Sequence, residues 1–277
     1  MNHSEGTFKG ARQMNIYYQA WLPDDEAKAV LLIVHGLGEH SSRYVNVVNY
    51  FVPRGFAVYA MDHIGHGKSE GAREYVERFE DFTETLEIFC QMVKGWQAGK
   101  PIFLLGHSIG GLIAADYLLN HQADFRGAIF SGAAISAGKS VSPITMALSK
   151  ILSTLAPKMG VLRLDASLLS RDPQVVSAYV NDPLVFHGKT PARLGAELLK
   201  AIQRVSAEME KISLPFIIVQ GSEDKLVDPA GAQALYQRAS SKDKTIKVYQ
   251  GLYHEVFNEP ERDMALKDIE DWLTTHV

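Results

Sequence analysis

The chain has 277 residues and carries 28 basic side chains (Lys and Arg) against 32 acidic ones, a formal net charge of −4. A balance this mild argues against a nucleic-acid partner and against electrostatic anchoring to a membrane. The single cysteine excludes an intramolecular disulfide and a cysteine zinc cluster. The polar start, and the lack of any apolar run near the ~20 residues of a membrane span, predict a cytoplasmic protein.

Short apolar runs alternate with amphipathic stretches along the chain. Runs around Phe8 and at residues 16–18 predict an antiparallel hairpin at a sheet edge. Continuous apolar runs predict buried strands at residues 30–34, 56–61, 102–105, 127–130, 215–219 and 245–249. Helical spacing fills the intervals between them. The predicted fold class is α/β, the α/β-hydrolase fold, with a mostly parallel central sheet flanked by helices and an inserted helical cap.

The cap is expected where the alternation of strand and helix stops, at about residues 136–207, within one domain of residues 1–277. Inside it Ile144, Leu148 and Ile151 recur at helical spacing, while Ser153 is expected on the opposite face. Two interpretations of this stripe stay open. It packs on a core, or part of it lines an acyl channel or touches a lipid surface.

The hexapeptide at 106–111 (GHSIGG) lies between a buried strand and a helical pattern. A strand, a sharp turn around a serine and a helix form a nucleophile elbow, and a side chain at Gly106 or Gly110 would collide with the neighbouring elements. The pattern predicts that Ser108 is the nucleophile of a serine hydrolase. The Ile109 N–H, at a helix N-terminus, is expected to stabilise an oxyanion.

A serine nucleophile needs a histidine base and a carboxylate, which follow it in this fold in the order acid, then histidine. Asp224 lies on the loop after the run at 215–219, and His254 follows the last run in the same way. Both therefore reach the carboxyl edge of the sheet, where α/β proteins bind ligands. Glu223 and Asp228 are alternatives for the acid, and Asp224 is the preferred one.

A second oxyanion donor is expected from the glycine-containing loop at 35–38, where the Leu37 N–H is the natural partner of Ile109. Asp62, His63 and His66 lie close together in sequence and suggest a metal site as an alternative. Their segment is better interpreted as a glycine-rich turn after a strand. We therefore expect neither a metal nor another cofactor.

These motifs together resemble the monoacylglycerol lipase branch of the α/β-hydrolases. The matching segments are 35–44 (HGLGEHSSRY), 62–71 (DHIGHGKSEG), 106–111 (GHSIGG), 181–184 (NDPL), 220–224 (QGSED) and 253–254 (YH). The resemblance implies the same triad and oxyanion amides, a cap over an apolar acyl pocket, and a polar exit for glycerol near Glu39, Arg43 and Tyr179. Mammalian members carry a histidine where this chain has Phe257, so the head-group site is expected to differ.

The resulting hypothesis is a serine ester hydrolase that cleaves monoacylglycerols to fatty acid and glycerol through an acyl-enzyme. A lysophospholipase, a broad carboxylesterase and a ligand-binding protein of the same fold with little turnover are the alternatives. The expected partner is a small lipid substrate and not nucleic acid, with peripheral contact to membranes or micelles through the cap.

Overall fold

The computed structural model describes residues 1–136 and 143–277, including every side chain except those of residues 143–146. The strands in this part of the chain are β1 (Asn2–Lys9), β2 (Asn15–Leu22), β3 (Ala29–Val34), β4 (Phe56–Met61), β5 (Ile102–His107), β6 (Gly127–Ser131), β7 (Gly160–Leu162), β8 (Thr190–Pro191), β9 (Phe216–Gly221) and β10 (Lys244–Tyr249). The α-helices are α1 (Val45–Phe51), α2 (Glu80–Trp96), α3 (Ile109–Leu118), α4 (Pro143–Leu155), α5 (Pro173–Asn181), α6 (Ala192–Glu208), α7 (Ala230–Arg238) and α8 (Arg262–Thr274).

The central sheet contains eight of these strands in the order β1-β2-β4-β3-β5-β6-β9-β10. The β1–β2 and β2–β4 pairs are antiparallel, and every other pair is parallel. The register brings Leu31 beside Val58 on one side and Phe103 on the other. All six predicted strands and the edge hairpin are confirmed, as is the fold class. Continuous apolar runs predicted the central strands well because these strands are covered on both faces.

Alternation along β3 divides the core into two layers. Leu32 and Val34 belong to the larger cluster, which packs under α2, α3, α6 and α7, whereas Leu31 and Ile33 pack under α1 and α8. Since successive strand residues point to opposite faces, one short apolar segment supplies both layers. Because the sheet is buried on both faces, its carboxyl edge is held in place. The loops of the site leave the sheet at this edge.

The stretch between β6 and β9 contains α4, the short antiparallel pair of β7 and β8, α5 and α6. Helix α6 contributes Leu194, Ala201 and Val205 to the larger core cluster and also contacts α4. It is therefore packed on the central fold on one side and on the rest of this stretch on the other. None of the described helices combines the length and the apolar character needed to span a bilayer.

Candidate active site

Ser108 occupies the turn between β5 and α3, with φ 56° and ψ −122°. A non-glycine residue rarely adopts this conformation, so the turn is strained. A Cβ on Gly110 would lie 2.0 Å from the Val34 carbonyl oxygen, and one on Gly106 would lie 2.6 Å from the Gly110 carbonyl oxygen. The steric reason predicted for both glycines is therefore confirmed.

The carboxylate of Asp224 accepts a hydrogen bond of 2.8 Å from His254 Nδ1, and both side chains are buried. Its other oxygen accepts from the Leu226 and Val227 N–H groups, at 2.9 and 3.0 Å. Burial raises the pKa of Asp224, but the hydrogen bond from His254 and the other donors hold this pKa below its usual value. The carboxylate therefore stays ionised and fixes the histidine tautomer.

The two alternative acids lie elsewhere on the same loop. Glu223 is exposed to solvent. Asp228 accepts a hydrogen bond of 2.9 Å from the Ala230 N–H next to the start of α7. Among the described carboxylates of this loop, Asp224 alone is hydrogen-bonded to His254.

The His254 ring lies close to the serine turn. Its neighbour is Gly132 at φ +50°, where a Cβ would lie 3.0 Å from His254 Nδ1. The residue before Gly132 is Ser131, whose carbonyl oxygen accepts from the Ser108 N–H at 3.0 Å. The His107 ring also packs on the His254 ring, with 4.7 Å between centroids. The turns that follow β5 and β6 therefore lie next to the His254 ring, which brings Ser108 and His254 together.

The loop after β3 passes directly beside the serine. A Cβ on Gly36 would lie 2.8 Å from Glu39 Oε1 and 3.2 Å from Ser108 Cβ, so glycine eases this approach. Leu37 follows it, and Ile109 opens α3. In the described part of the chain, neither of these N–H groups donates to a protein acceptor. Two free amides next to a serine hydroxyl are the donor pair that an oxyanion requires.

Glu39, Arg43 and Tyr179 come together, as the resemblance implies, but the charges are already paired. Arg43 Nη1 donates to Glu39 Oε2 and to Glu255 Oε1, both at 2.7 Å, and Arg43 Nη2 donates to Glu255 Oε2 at 2.8 Å. Glu39 Oε1 accepts from the Gly36 N–H at 2.6 Å. The Arg43 guanidinium also lies 4.7 Å from the centroid of the Tyr179 ring.

This buried ion-pair network, Glu39–Arg43–Glu255, joins two loops of the site. Glu39 holds the loop of Leu37, and Glu255 directly follows His254. Burial opposes the charges of Arg43 and Glu255, but the two carboxylates raise the pKa of Arg43, and Arg43 holds the pKa of Glu255 well below its usual range. The network therefore supports the geometry of the site, and the carboxylate oxygens of Glu39 and Glu255 are already hydrogen-bonded to protein groups.

Phe257 is only 5% exposed and belongs to the smaller core cluster. It borders a space of only about 10 Å³ together with Arg43 and Glu255. The structure thus places Phe257 in the packing behind the His254 loop.

An apolar cavity of about 680 Å³ is bordered by Leu37, on the loop after β3, and by the stretch between β6 and β9. Its wall includes Leu148, Leu152 and Ile202, and on the catalytic side Val227. Ile151 is not part of this wall and is 54% exposed. The side chain of Ile144 lies outside the described residues. A cavity of this size and polarity fits an acyl chain.

The orientation predicted for α4 is wrong in one respect. Ser153, expected on the face away from the apolar stripe, is buried, whereas Leu148, Ile151 and Leu155 are exposed. Helix α4 packs along α6, and Ser153 is only 4% exposed. The core-packing interpretation of the stripe is therefore wrong for Leu148 and Ile151.

The histidines beside the site are structural. The His63 N–H donates to His35 Nε2 at 2.9 Å, and His35 Nδ1 donates to the Gly36 carbonyl at 2.8 Å. Burial lowers the pKa of both histidines. Asp62 accepts from the Ser41 and Lys68 N–H groups at 2.8 Å, which closes the predicted glycine-rich turn.

One described group, Glu87, His121 and Asp124, has ligand atoms close enough to share a metal ion. Asp124 is ion-paired with Lys94, and Glu87 accepts a hydrogen bond from the Tyr117 hydroxyl. A metal at this surface would have to displace both partners.

Comparison with known proteins extends this geometry to a family. The family model described as "Serine aminopeptidase, S33" matches residues 25–261. The monoacylglycerol lipase of Mycolicibacterium smegmatis is 38% identical over 274 residues, which cover 99% of this chain and 98% of the relative. The human monoglyceride lipase is 35% identical over 263 residues, covering 94% of this chain and 86% of the relative.

A solved structure agrees with these matches. The crystal structure of the Paleococcus ferrophilus monoacylglycerol lipase superimposes with a TM-score of 0.85 at 32% identity, covering 95% of this chain and 99% of that one. The chain belongs to the monoacylglycerol lipase family. This monoacylglycerol lipase family member is an α/β-hydrolase and a carboxylic ester hydrolase. The resemblance inferred from its motifs is confirmed.

Several residues around the site of this monoacylglycerol lipase family member could not be predicted from the sequence. Glu255 carries one signal, since it follows His254, but its partner Arg43 is 212 residues away. Gln220, which donates to Asp224 Oδ2 at 2.9 Å, lies inside a matching motif without a role assigned to it. Glu74, which is buried beside Gly38, has no local signal at all.

Proposed function

We propose that the chain hydrolyses monoacylglycerols to a fatty acid and glycerol through an acyl-enzyme formed on Ser108. The observation that carries the proposal is the buried 2.8 Å hydrogen bond between His254 and Asp224 beside the strained turn of Ser108. The relatives named monoacylglycerol or monoglyceride lipase support the substrate class, because the match to them extends over nearly the whole chain.

In this mechanism, Ser108 Oγ attacks the ester carbonyl carbon while His254 takes the hydroxyl proton. Asp224 stabilises the imidazolium that forms. The N–H groups of Leu37 and Ile109 hold the negative charge of the tetrahedral oxygen. His254 then gives its proton to the departing alcohol, and water repeats the sequence to release the fatty acid.

The acyl chain occupies the cavity of about 680 Å³ behind Leu37, where Leu148 forms part of the wall. Burial of each methylene there stabilises the complex by about 0.8 kcal/mol. We assign the stretch of about 136–207 as the cap, with α6 as its base. Its contact with the larger core cluster supports this assignment.

The cap also presents an apolar surface, which we propose touches the membrane or micelle that holds the substrate. Its members are large apolar side chains with roughly half or more of their area exposed: Leu148, Ile151, Leu155, Met159, Val161 and Leu162. Clusters of exposed apolar side chains mark interaction sites, and such a surface fits a lipid interface.

The catalytic assignment is tested by Ser108→Ala, Asp224→Asn and His254→Ala, with Asp228→Asn as the matched control on the acid loop. We expect Ser108→Ala to lower kcat by roughly 10⁴-fold, and the triple variant to be little worse, because the three residues act as a unit. Asp228→Asn should stay within a few-fold of the parent. A severe Asp228→Asn and a mild Asp224→Asn would move the acid to Asp228.

The substrate is tested by comparing kcat/KM for a monoacylglycerol, its diacyl and triacyl counterparts, its lysophosphatidylcholine and its methyl ester. The monoacylglycerol should rank first. A lysophospholipid in first place would make the chain a lysophospholipase, and equal rates on all small esters would make it a broad carboxylesterase. A single stoichiometric turnover would point to a binding protein.

A further inference from the structure

Glu74 is a buried carboxyl at a position where the backbone is strained. It lies on the loop between β4 and α2, has φ +50°, and is only 4% exposed. Both a non-glycine residue in the left-handed region and a buried carboxyl without a cationic partner are unfavourable for stability. Strain and burial at one residue are typical of functional sites.

The side chain reaches across to the loop that follows β3. A Cβ on Gly38 would lie 2.9 Å from Glu74 Oε1 and 3.2 Å from the Tyr179 hydroxyl. Glu74 Oε2 accepts a hydrogen bond of 2.8 Å from Thr190 Oγ1. The carboxyl therefore touches both the loop that carries the oxyanion amide and the cap strand β8.

Glu74, Tyr179 and Thr190 all border a second cavity, of about 480 Å³. Among the described residues, no group donates to Glu74 Oε1, and the Tyr179 hydroxyl has no hydrogen-bond partner there either. A carboxylate oxygen and a phenolic hydroxyl thus face the same space without a protein partner. Polar atoms that converge on a cavity in this way are suited to a polar ligand.

The position of this cavity relative to Ser108 indicates which part of a substrate it would hold. Thr190 also borders the apolar cavity assigned to the acyl chain, so the two cavities share a wall. Gly38, beside Glu74, lies two residues after Gly36, which touches Ser108. An ester held at Ser108 with its chain in the apolar cavity would have its alcohol part near Glu74.

We propose that Glu74, Tyr179 and Thr190 form the head-group site, which binds the free hydroxyls of a neutral polyhydroxy alcohol such as the glycerol part of the substrate. This inference rests on the proposed function. It moves the polar end of the substrate away from Glu39 and Arg43, whose polar atoms are held in the ion-pair network with Glu255.

The electrostatics of the site agree with a neutral ligand. Burial raises the pKa of Glu74 to about 7, so near neutral pH its carboxyl both accepts and donates hydrogen bonds. Hydroxyl groups match either form. Arg163 and Asp165 also border this cavity, and their opposite charges offset each other. A phosphate next to the ionised form of Glu74 would be repelled at close range, which disfavours lysophospholipids.

The test compares kcat/KM for a monoacylglycerol and for the methyl ester of the same acyl chain. The wild-type ratio should fall about tenfold in Glu74→Leu, the loss of one hydrogen bond to a charged group, and several-fold in Tyr179→Phe. Glu77→Gln, an exposed carboxyl on the same loop, is the matched control and should keep the ratio. Glu74→Gln should raise the rate on lysophosphatidylcholine relative to the monoacylglycerol several-fold.

Thermal unfolding of each variant shows whether it is folded, and Tyr179→Phe decides the question if Glu74→Leu does not fold. A wild-type enzyme that prefers the monoacylglycerol, with variants that keep the wild-type ratio, would overturn the head-group site alone. A wild-type enzyme that prefers the methyl ester would overturn the proposed substrate, and the head-group site with it.

Discussion

Replacing Arg43 with methionine should destabilise the protein more than the loss of one exposed ion pair would. The guanidinium is about 90% buried and makes three hydrogen bonds of 2.7–2.8 Å to Glu39 and Glu255. Methionine fills most of the volume but leaves two carboxylates buried without a cation. Breaking a buried pair in this way costs about 3–5 kcal/mol, against less than 1 kcal/mol for an exposed pair.

The pH dependence of this loss has a definite sign. Without Arg43, burial raises the pKa of Glu255 in the folded protein above the unfolded value, so the folded state takes up a proton that the unfolded state does not. The stabilising contribution of this carboxyl is then fully present below the unfolded pKa and is lost as the pH rises. The difference between variant and wild type should therefore be larger at pH 8 than at pH 5.

Urea unfolding at these two pH values measures both effects. Arg78→Met is the control, since Arg78 pairs with Asp81 and Glu84 but is 48% exposed. The double variant Arg43→Met, Glu255→Gln should recover part of the loss, because one of the two buried charges is gone. A loss below 1 kcal/mol, or one equal at both pH values, would refute the ion-pair network as a stabilising element.

Two further predictions concern acid stability and the cap. Burial lowers the pKa of His107 to about 4, so between pH 6.5 and 4 only the unfolded state takes up this proton, and stability falls as the pH falls. His107→Gln should reduce the slope of unfolding free energy against pH in this window by up to about 1.4 kcal/mol per pH unit, and an unchanged slope would contradict the assignment. In the cap, Leu148→Ser should lower kcat/KM about fivefold on long-chain esters and little on acetyl esters. Ile151→Ser, a change outside the cavity wall, should instead weaken co-sedimentation with phosphatidylcholine vesicles and leave the chain-length preference unchanged. A loss confined to long-chain esters in Ile151→Ser, or its absence in Leu148→Ser, would contradict their different positions relative to the cavity.

The sheet could be predicted from the sequence because its signal is local. A run such as residues 30–34 has no polar interruption, and only a strand covered on both faces fits it. The turn of Ser108 also has a local signal, because the close contacts of that turn require glycine at Gly106 and Gly110. The order of serine, acid and histidine then follows from the positions of the strand ends.

The surroundings of the site could not be predicted in this way, because they depend on contacts between distant segments. The pattern of α4 indicates which residues share a face, but the direction of that face depends on α6, more than thirty residues further on. The pairing of Arg43 with Glu255 and the burial of Glu74 beside Gly38 likewise arise only when loops from opposite parts of the chain meet at the sheet edge.

The left-handed backbone of Ser108 sets a limit on how stable this fold can become. At φ 56° and ψ −122° the strain costs about 1–3 kcal/mol, and glycine is the residue that would relieve it. Glycine has no hydroxyl, so the substitution that relaxes the turn also removes the proposed nucleophile. Stability and reactivity are therefore in direct conflict at this one position, and improvements in thermal tolerance have to come from elsewhere in the chain.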